Sequence, residues 1–217
     1  MLGQYVKLHH STLRDVLKLR TKGVHERLHY HSHFVALFDE TIALYQYAEL
    51  MKRFHGFYAP LDHAIERVLG SQSASNVAYK YAQRVHLIEQ DLADLGFDAA
   101  TIAQNRTCAE IAQVVTPVSL AGVLYVIEGS TLGAAQIDRA AQKILSKDSL
   151  QGRRFWAWCR GNNKLRWNMM SAYLDDLDAS GIAQDGVVNG ARDTFQALAN
   201  WLEPLNQPVL ATQGDLL

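Results

Sequence analysis

The 217-residue sequence lacks the features that mark several large classes of protein. Its two cysteines, Cys108 and Cys159, are too few for a disulfide framework and are not spaced as a metal-binding pair. Four prolines and no alternating apolar pattern of useful length argue against a β-sheet protein. The chain has 21 lysines and arginines and 22 aspartates and glutamates. Since there is no excess of basic residues, no nucleic-acid partner is expected.

Long hydrophobic runs are also missing. The longest apolar stretch, residues 111–127, contains Gln113, Thr116 and Ser119 and is followed by Glu128, so it is too short and too polar for a membrane span. The N-terminal residues carry no apolar core of a signal peptide. We therefore expect no membrane association and a cytoplasmic location.

What the sequence does contain is helix-forming residues with apolar side chains at helical spacing. Hydrophobic residues make up 48% of the chain, which is enough for a sizeable core. We expect Ser11 or Thr12 to cap the first helix, Gly56 to end the second, and Pro60 to begin the third. The predicted helices cover residues 13–34, 35–55, 60–70, 76–95, 107–115, 117–145, 153–159, 165–179 and 187–201. This pattern predicts one all-α domain over residues 1–204 and a loose tail over 205–217.

The motif HERLH, with His25 and His29 four residues apart, matches the H-E-x-x-H pattern of zinc proteases. In such a site the two imidazoles bind zinc and Glu26 activates a water molecule. Ser32 and Val35, however, stand where the longer metzincin pattern has Gly and His. The 24 residues before the motif are also too few for the sheet along which these enzymes hold a substrate. A zinc hydrolase is therefore the less favoured alternative.

A single histidine in this helix can instead bind heme iron and leave the opposite face of the iron open. Lys18 lies seven residues before His25, which is two helical turns, so both side chains share one face of the helix. One porphyrin could then meet an imidazole at its iron and an ammonium at a propionate. Taken singly, an ordinary hydrogen-bonded histidine and a solvated lysine are the plain alternatives.

Gly129 and Gly133 lie one turn apart inside a predicted helix, where each glycine costs roughly 1 kcal/mol relative to alanine. Close packing of helices, a kink, or a flat ligand against the backbone would each account for them. Tyr125 lies one turn before Gly129 on the same face. A helix of this kind could cover one face of a porphyrin while His25 binds the iron from the other.

The sequence resembles the heme oxygenase family, particularly its bacterial branch. The resemblance rests on LKLRTKGVH, RFHGFYAPLDHAI, LIEQDLADLG, LYVIEGSTLGA and FWAWCRGNNKLRW, which follow one another in the expected order over residues 12–180. It implies a single-domain helical fold with heme between a proximal and a distal helix. His25 would be the iron ligand, Lys18 a propionate contact, and Gly129 and Gly133 the shapers of the oxygen pocket.

The resemblance also implies a second propionate contact from the later helices. Arg166 is the expected residue, with Lys164 and Arg160 as rivals. Ser130 departs from the mammalian pattern, which has an aspartate that organises water in the distal pocket. Ser130 and Tyr125 are polar candidates for holding that water, as is Gln136, and ordinary structural hydrogen bonding is the alternative for each.

The implied reaction uses heme as both cofactor and substrate. Heme is opened to biliverdin with release of carbon monoxide and iron, and O2 and external electrons are consumed. A ferredoxin or a flavin reductase would supply the electrons. The purpose could be iron recovery or supply of a bilin to a phytochrome. The alternative on the same fold is a non-catalytic protein that binds or delivers heme.

Overall fold

Regular structure is helical throughout the part of the chain that the computed structural model describes, namely residues 11–71, 79–146 and 148–205. The α-helices are α1 (Leu13–His29), α2 (Ser32–Phe38), α3 (Leu44–Ser71), α4 (Val85–Asp94), α5 (Ala99–Ala103), α6 (Ala109–Val114), α7 (Leu120–Ser130), α8 (Ala134–Leu145), α9 (Arg154–Ala179) and α10 (Gln184–Leu202). Short 3-10 helices cover Thr131–Gly133 and Glu203–Leu205. The prediction of an all-α fold is confirmed.

The first helix begins where the sequence predicts and ends sooner. The Thr12 side chain accepts a hydrogen bond from the Asp15 amide at 3.2 Å, and the Asp15 carboxylate accepts from the Thr12 amide at 3.2 Å. Such a capping box stabilises a helix start by about 1 kcal/mol. The chain leaves α1 after His29 because His31 caps α2 and lies 3.1 Å from the Leu202 carbonyl oxygen. This contact ties the α1–α2 junction to the end of α10.

The prediction that Gly56 ends a helix and Pro60 begins another is wrong, because α3 runs unbroken through both residues. Proline lacks the amide that would donate to the carbonyl four residues earlier. That carbonyl, on Gly56, instead accepts from the Cys108 amide at 2.8 Å. A side chain at residue 56 would overlap the Arg106 carbonyl oxygen and lie 2.7 Å from the Trp201 ring. Glycine is therefore required here for a close approach of two segments.

Other boundaries also differ from the prediction: α3 begins at Leu44 instead of residue 35, and α5 was not predicted. Helix α9 is continuous across residues 160–164, where a break was expected, and the Asn162 side chain donates to the Trp158 carbonyl at 2.8 Å within it. Helix α4 begins at Val85, later than the predicted 76, because the Asp62 carboxylate accepts from the Arg84 and Val85 amides at 2.7 and 2.8 Å. Residues 76–78 of that prediction, and residues 206–217 of the predicted tail, lie outside the described residues.

Helix α7 lies at the centre of the fold, in contact with both α9 and α10. Among the described residues, Leu120–Leu145 is the one stretch long and apolar enough to match a membrane span. The structure divides it into α7, a 3-10 turn and α8, and most of the side chains of α7 are buried in the protein core. The stretch is therefore a pair of core helices.

Two glycine-to-alanine changes should have opposite effects on stability. A Cβ at Gly122 would overlap the Val187 carbonyl oxygen and lie 2.6 Å from the Ala191 nitrogen, so Gly122→Ala should lower the free energy of unfolding by about 3 kcal/mol. A Cβ at Gly161 meets nothing within 4 Å, so Gly161→Ala should raise it by about 0.5–1 kcal/mol. Urea unfolding measures both. Equal stability of the two variants would contradict this account of the α7–α10 contact.

Candidate functional site

An open cavity of about 390 Å³ is lined by residues of α1, α2, α3, α9 and α10 and by the chain from α7 into α8. Its volume falls in the range of ordinary cofactor and small-molecule sites. The aromatic part of its lining consists of Phe34, Phe38, Phe54, Phe57, Tyr58, Phe155, Trp156 and Phe195. This wide apolar wall suits a flat hydrophobic ligand.

The α1 wall of the cavity carries the predicted iron ligand. His25 and His29 both line the cavity, and the His25 ring lies 5.6 Å from the Phe195 ring. Partial burial and then the neighbouring His29 lower the pKa of His25. The imidazole is therefore neutral at neutral pH, which is the form that binds a metal.

Another wall of the same cavity carries the two predicted glycines. Gly129 and Gly133 both line it, together with Ser130. The chain leaves α-helical geometry here for the 3-10 turn Thr131–Gly133. The Ser130 hydroxyl donates to the Ile127 carbonyl at 2.8 Å, a local bond that accompanies the break. This interruption of the helix, which we call the kink, lies at the cavity.

Packing within the protein does not require glycine at either position. A Cβ built on Gly133 meets nothing within 4 Å, and one built on Gly129 meets only the Trp167 ring at 3.4 Å, an ordinary contact. Neither residue has a positive φ angle. Close helix packing and a positive φ angle therefore do not explain the glycines, which leaves the interruption of the helix and a ligand against the backbone as explanations.

Tyr125 and Lys18 are not among the described residues that line the cavity. The Tyr125 ring packs 5.7 Å from the Trp167 ring of α9, and burial raises the pKa of Tyr125 while the nearby Thr21 side chain of α1 lowers it. Tyr125 therefore lies near both α9 and α1. Lys18 is exposed on α1.

Arg166 is buried in an ionic cluster, which differs from the expectation that it contacts a propionate. Its guanidinium donates to the Glu128 carboxylate at 2.6 Å, to the Tyr79 hydroxyl at 2.6 Å and to the Lys80 carbonyl at 2.8 Å. It is only 6% exposed and does not appear among the described residues that line the cavity. Because these partners engage the guanidinium, Arg166 is better explained as a structural residue than as a ligand contact.

The centre of that cluster is Glu128, a residue for which the sequence pattern predicts no role. Its carboxylate is fully buried and accepts from Arg84 at 2.5 Å and from the Tyr79 hydroxyl as well as from Arg166. Burial opposes ionisation, but the two arginines and the tyrosine outweigh it, so the pKa of Glu128 is lowered. A charged residue between apolar neighbours directly before Gly129 was the available signal for this cluster.

Tyr58, which lines the cavity, lies within electrostatic reach of Arg84, whose guanidinium donates to the Ile127 carbonyl at 3.1 Å. Burial raises the pKa of Tyr58, so its hydroxyl keeps its proton. The charged cluster therefore lies in the core behind the glycine-bearing turn, close to the cavity wall at Tyr58.

A catalytic zinc site is not formed by HERLH. Within residues 11–71, 79–146 and 148–205, no group of three or more His, Cys, Asp or Glu side chains is arranged to hold a metal ion. Glu26 pairs with Lys22 at 3.8 Å on the exposed side of α1. The third protein ligand that catalytic zinc requires is missing from the described residues.

Fold and site together define an all-α protein whose apolar cavity lies between a histidine-bearing helix and a kinked, glycine-bearing helix. The sequence profile of the heme oxygenase family matches residues 11–204. The chain belongs to the heme oxygenase family. The resemblance stated from the sequence is confirmed.

Solved structures show the same fold. Heme oxygenase-1 from the cyanobacterium Synechocystis, determined in complex with heme, matches with a TM-score of 0.72 and 16% identity over 89% of this chain and 92% of that one. Heme oxygenase from Leptospira interrogans matches with a TM-score of 0.73 and 16% identity over 89% of this chain and 99% of that one. No curated protein sequence matches the chain.

Proposed function

We propose that this protein is a heme oxygenase that opens heme to biliverdin, carbon monoxide and iron with O2 and external electrons. The proposal rests on one observation. A neutral imidazole and two glycines, whose backbone carries no side chain, line the same cavity. His25 lines the cavity from α1, and Gly129 and Gly133 line it from the distal turn. Membership of the heme oxygenase family supports the same assignment.

The residues fit heme as a ligand. The aromatic wall matches the apolar faces of a porphyrin, and the open space above Gly133 is what a side chain would fill. His25 would hold the iron, and exposed Lys18 on the same face of α1 would contact a propionate. Bound heme supplies both the iron at which O2 is reduced and the ring carbon that is oxidised.

The distal residues would then control what happens beside the iron. Gly129 and Gly133 leave room for a small ligand against the backbone. The Ser130 hydroxyl proton is already donated to the Ile127 carbonyl, so the Ser130 oxygen is left as an acceptor for an ordered water. Tyr58 brings a protonated hydroxyl to the same cavity. These groups hold water and protons without placing a strong acid at the iron.

The proposal includes partners of stated chemistry. Electrons would come from a ferredoxin or a flavin reductase, in the cytoplasm, and the product would serve iron recovery or a bilin acceptor such as a phytochrome. The rival function is a carrier that binds heme through His25 without degrading it. Hemin added to the purified protein, followed by ascorbate in air with catalase present, separates the two. Loss of the Soret band with growth of red bilin absorption supports the oxygenase, and a reduced but stable heme complex supports the carrier.

Leucine at either distal glycine should stop the reaction. Both glycines line the cavity, and an added Cβ meets nothing within 4 Å at Gly133 and only the Trp167 ring at 3.4 Å at Gly129, so a larger side chain should be directed into the ligand space. We expect Gly129→Leu and Gly133→Leu to fold, to bind hemin poorly, and to form bilin roughly 100-fold more slowly than the wild type. Bilin absorbance in the ascorbate assay measures this.

The matched control for that prediction is Gly23→Leu. Gly23 is an exposed helical glycine of α1, a Cβ added to it would meet nothing within 4 Å, and it does not line the cavity. This variant carries the same change in helix propensity and should keep wild-type turnover. Unchanged bilin formation by both distal variants would refute the role given to the distal turn.

A further inference from the structure

A second imidazole in the cavity has no part in the proposed reaction. His29 lines the cavity beside His25, one turn further along α1. The two ring centroids lie 4.7 Å apart with an angle of 76° between the ring planes. Both residues are exposed where the cavity opens to solvent. One ligand to heme iron is enough, so the second histidine needs a separate explanation.

The spacing of the pair suits a metal ion. Residues four apart on a helix are neighbours on one face, and imidazole is a preferred ligand of zinc, copper and nickel. The edge-to-face arrangement keeps one ring from stacking on the other, and neither ring has a carboxylate as hydrogen-bond partner among the described residues. The described residues offer no third ligand, so water would complete the coordination. Such a site is open and exchangeable, unlike a structural zinc site.

We propose that, when the cavity is empty, His25 and His29 together bind one divalent transition metal ion of the zinc class. The same imidazole cannot bind that ion and heme iron at once. The metal ion would therefore exclude heme, and heme would exclude the metal ion. The metal site stands on the geometry of α1 alone, whereas its competition with heme rests on the proposed function.

The first test measures Zn²⁺ binding to the heme-free protein by equilibrium dialysis. The chain has nine histidines, so the informative quantity is the difference between wild type and variants. His29→Ala and His25→Ala should each remove one bound Zn²⁺ or weaken it at least about tenfold, because one of two ligands is lost. The control, His63→Ala, removes an exposed histidine of α3 outside the cavity lining and should match the wild type. Equal Zn²⁺ binding by wild type and His29→Ala would overturn the proposal.

The second test is competition. With Zn²⁺ at ten times its dissociation constant, the apparent hemin dissociation constant should rise about elevenfold for a single shared site. At the same Zn²⁺ concentration, His29→Ala, which keeps His25, should show at most about a twofold rise, because its Zn²⁺ affinity is at least about tenfold lower. Soret titration reads both.

The outcomes separate the two proposals. His29-dependent Zn²⁺ binding without any hemin binding would leave the metal site standing and refute the heme oxygenase assignment. Normal hemin binding that Zn²⁺ does not affect, in a protein that does bind Zn²⁺ through His29, would overturn the mutual exclusion. Normal hemin binding with no His29-dependent Zn²⁺ binding would overturn the metal site and leave the proposed function intact.

Discussion

Replacing His25 with alanine should abolish bilin formation and remove the iron–imidazole signature from the Soret spectrum. His25 is the imidazole that faces the cavity beside Phe195, and its lowered pKa keeps it neutral and able to bind iron at neutral pH. The apolar wall remains in the variant, so some hemin should still bind, but without its axial ligand. Free imidazole at millimolar concentration should restore part of the spectrum and of the turnover, because the deleted side chain leaves space for it.

The control for this prediction is His63→Ala, which should match the wild type in its Soret spectrum and in turnover. His29→Ala should keep the Soret band and form bilin. If His25→Ala keeps full turnover and His29→Ala loses it, the iron ligand lies one turn further along α1 than proposed. If both variants keep turnover, α1 is not the ligating helix.

Helical periodicity predicted the fold class and most of the helices, whereas the errors occur where residues far apart in sequence interact. Gly56 and Pro60 are helix breakers by local propensity, yet α3 continues because the carbonyl that Pro60 leaves unpaired is taken by the Cys108 amide. The late start of α4 has the same kind of cause, since Asp62 holds the Arg84 amide in a non-helical position. Neither of these long-range hydrogen bonds can be predicted from local sequence patterns.

The residues of the candidate site divide in the same way, into those that local spacing indicates and those whose partners are distant in sequence. His25, Gly129 and Gly133 were predicted because the spacing of unusual residues within one helix is visible in sequence, and in the structure all three line one cavity. Arg166 was expected to contact a propionate. Its position in the sequence suits that role and does not reveal which residue the guanidinium pairs with. Its partner, Glu128, is 38 residues away, and only the packing of α7 against α9 brings the two together.

Glu128 shows how the distal turn is held in place. Its carboxylate lies directly before Gly129 and joins Arg84, from the segment before α4, to Arg166 of α9. Its carbonyl accepts from the Thr131 hydroxyl at 2.7 Å inside the kink. The kink that opens the backbone to the cavity is therefore anchored from behind by a buried, fully paired charge.

Glu128→Ala should lower the free energy of unfolding by about 3–5 kcal/mol, because it leaves two buried guanidinium groups without their shared carboxylate. The matched control is Glu49→Ala, which removes a half-buried glutamate paired with Lys52 at 2.8 Å and should change stability by less than about 1 kcal/mol. Urea unfolding at pH 7 measures both. Equal losses in the two variants would contradict the role given to the buried cluster.

The pH dependence gives this prediction a second measurement that does not depend on recovering the alanine variant in folded form. Since the pKa of Glu128 is lower in the folded protein than its ordinary value, its ionisation stabilises the fold at neutral pH. That contribution is complete above the unfolded pKa of about 4.3 and is lost as pH falls through the lower folded value. Glu128→Gln cannot ionise, so its stability should fall less steeply than that of the wild type below that pH. If the free energy of unfolding falls equally steeply with decreasing pH in both proteins, the carboxylate charge is not what anchors the distal turn.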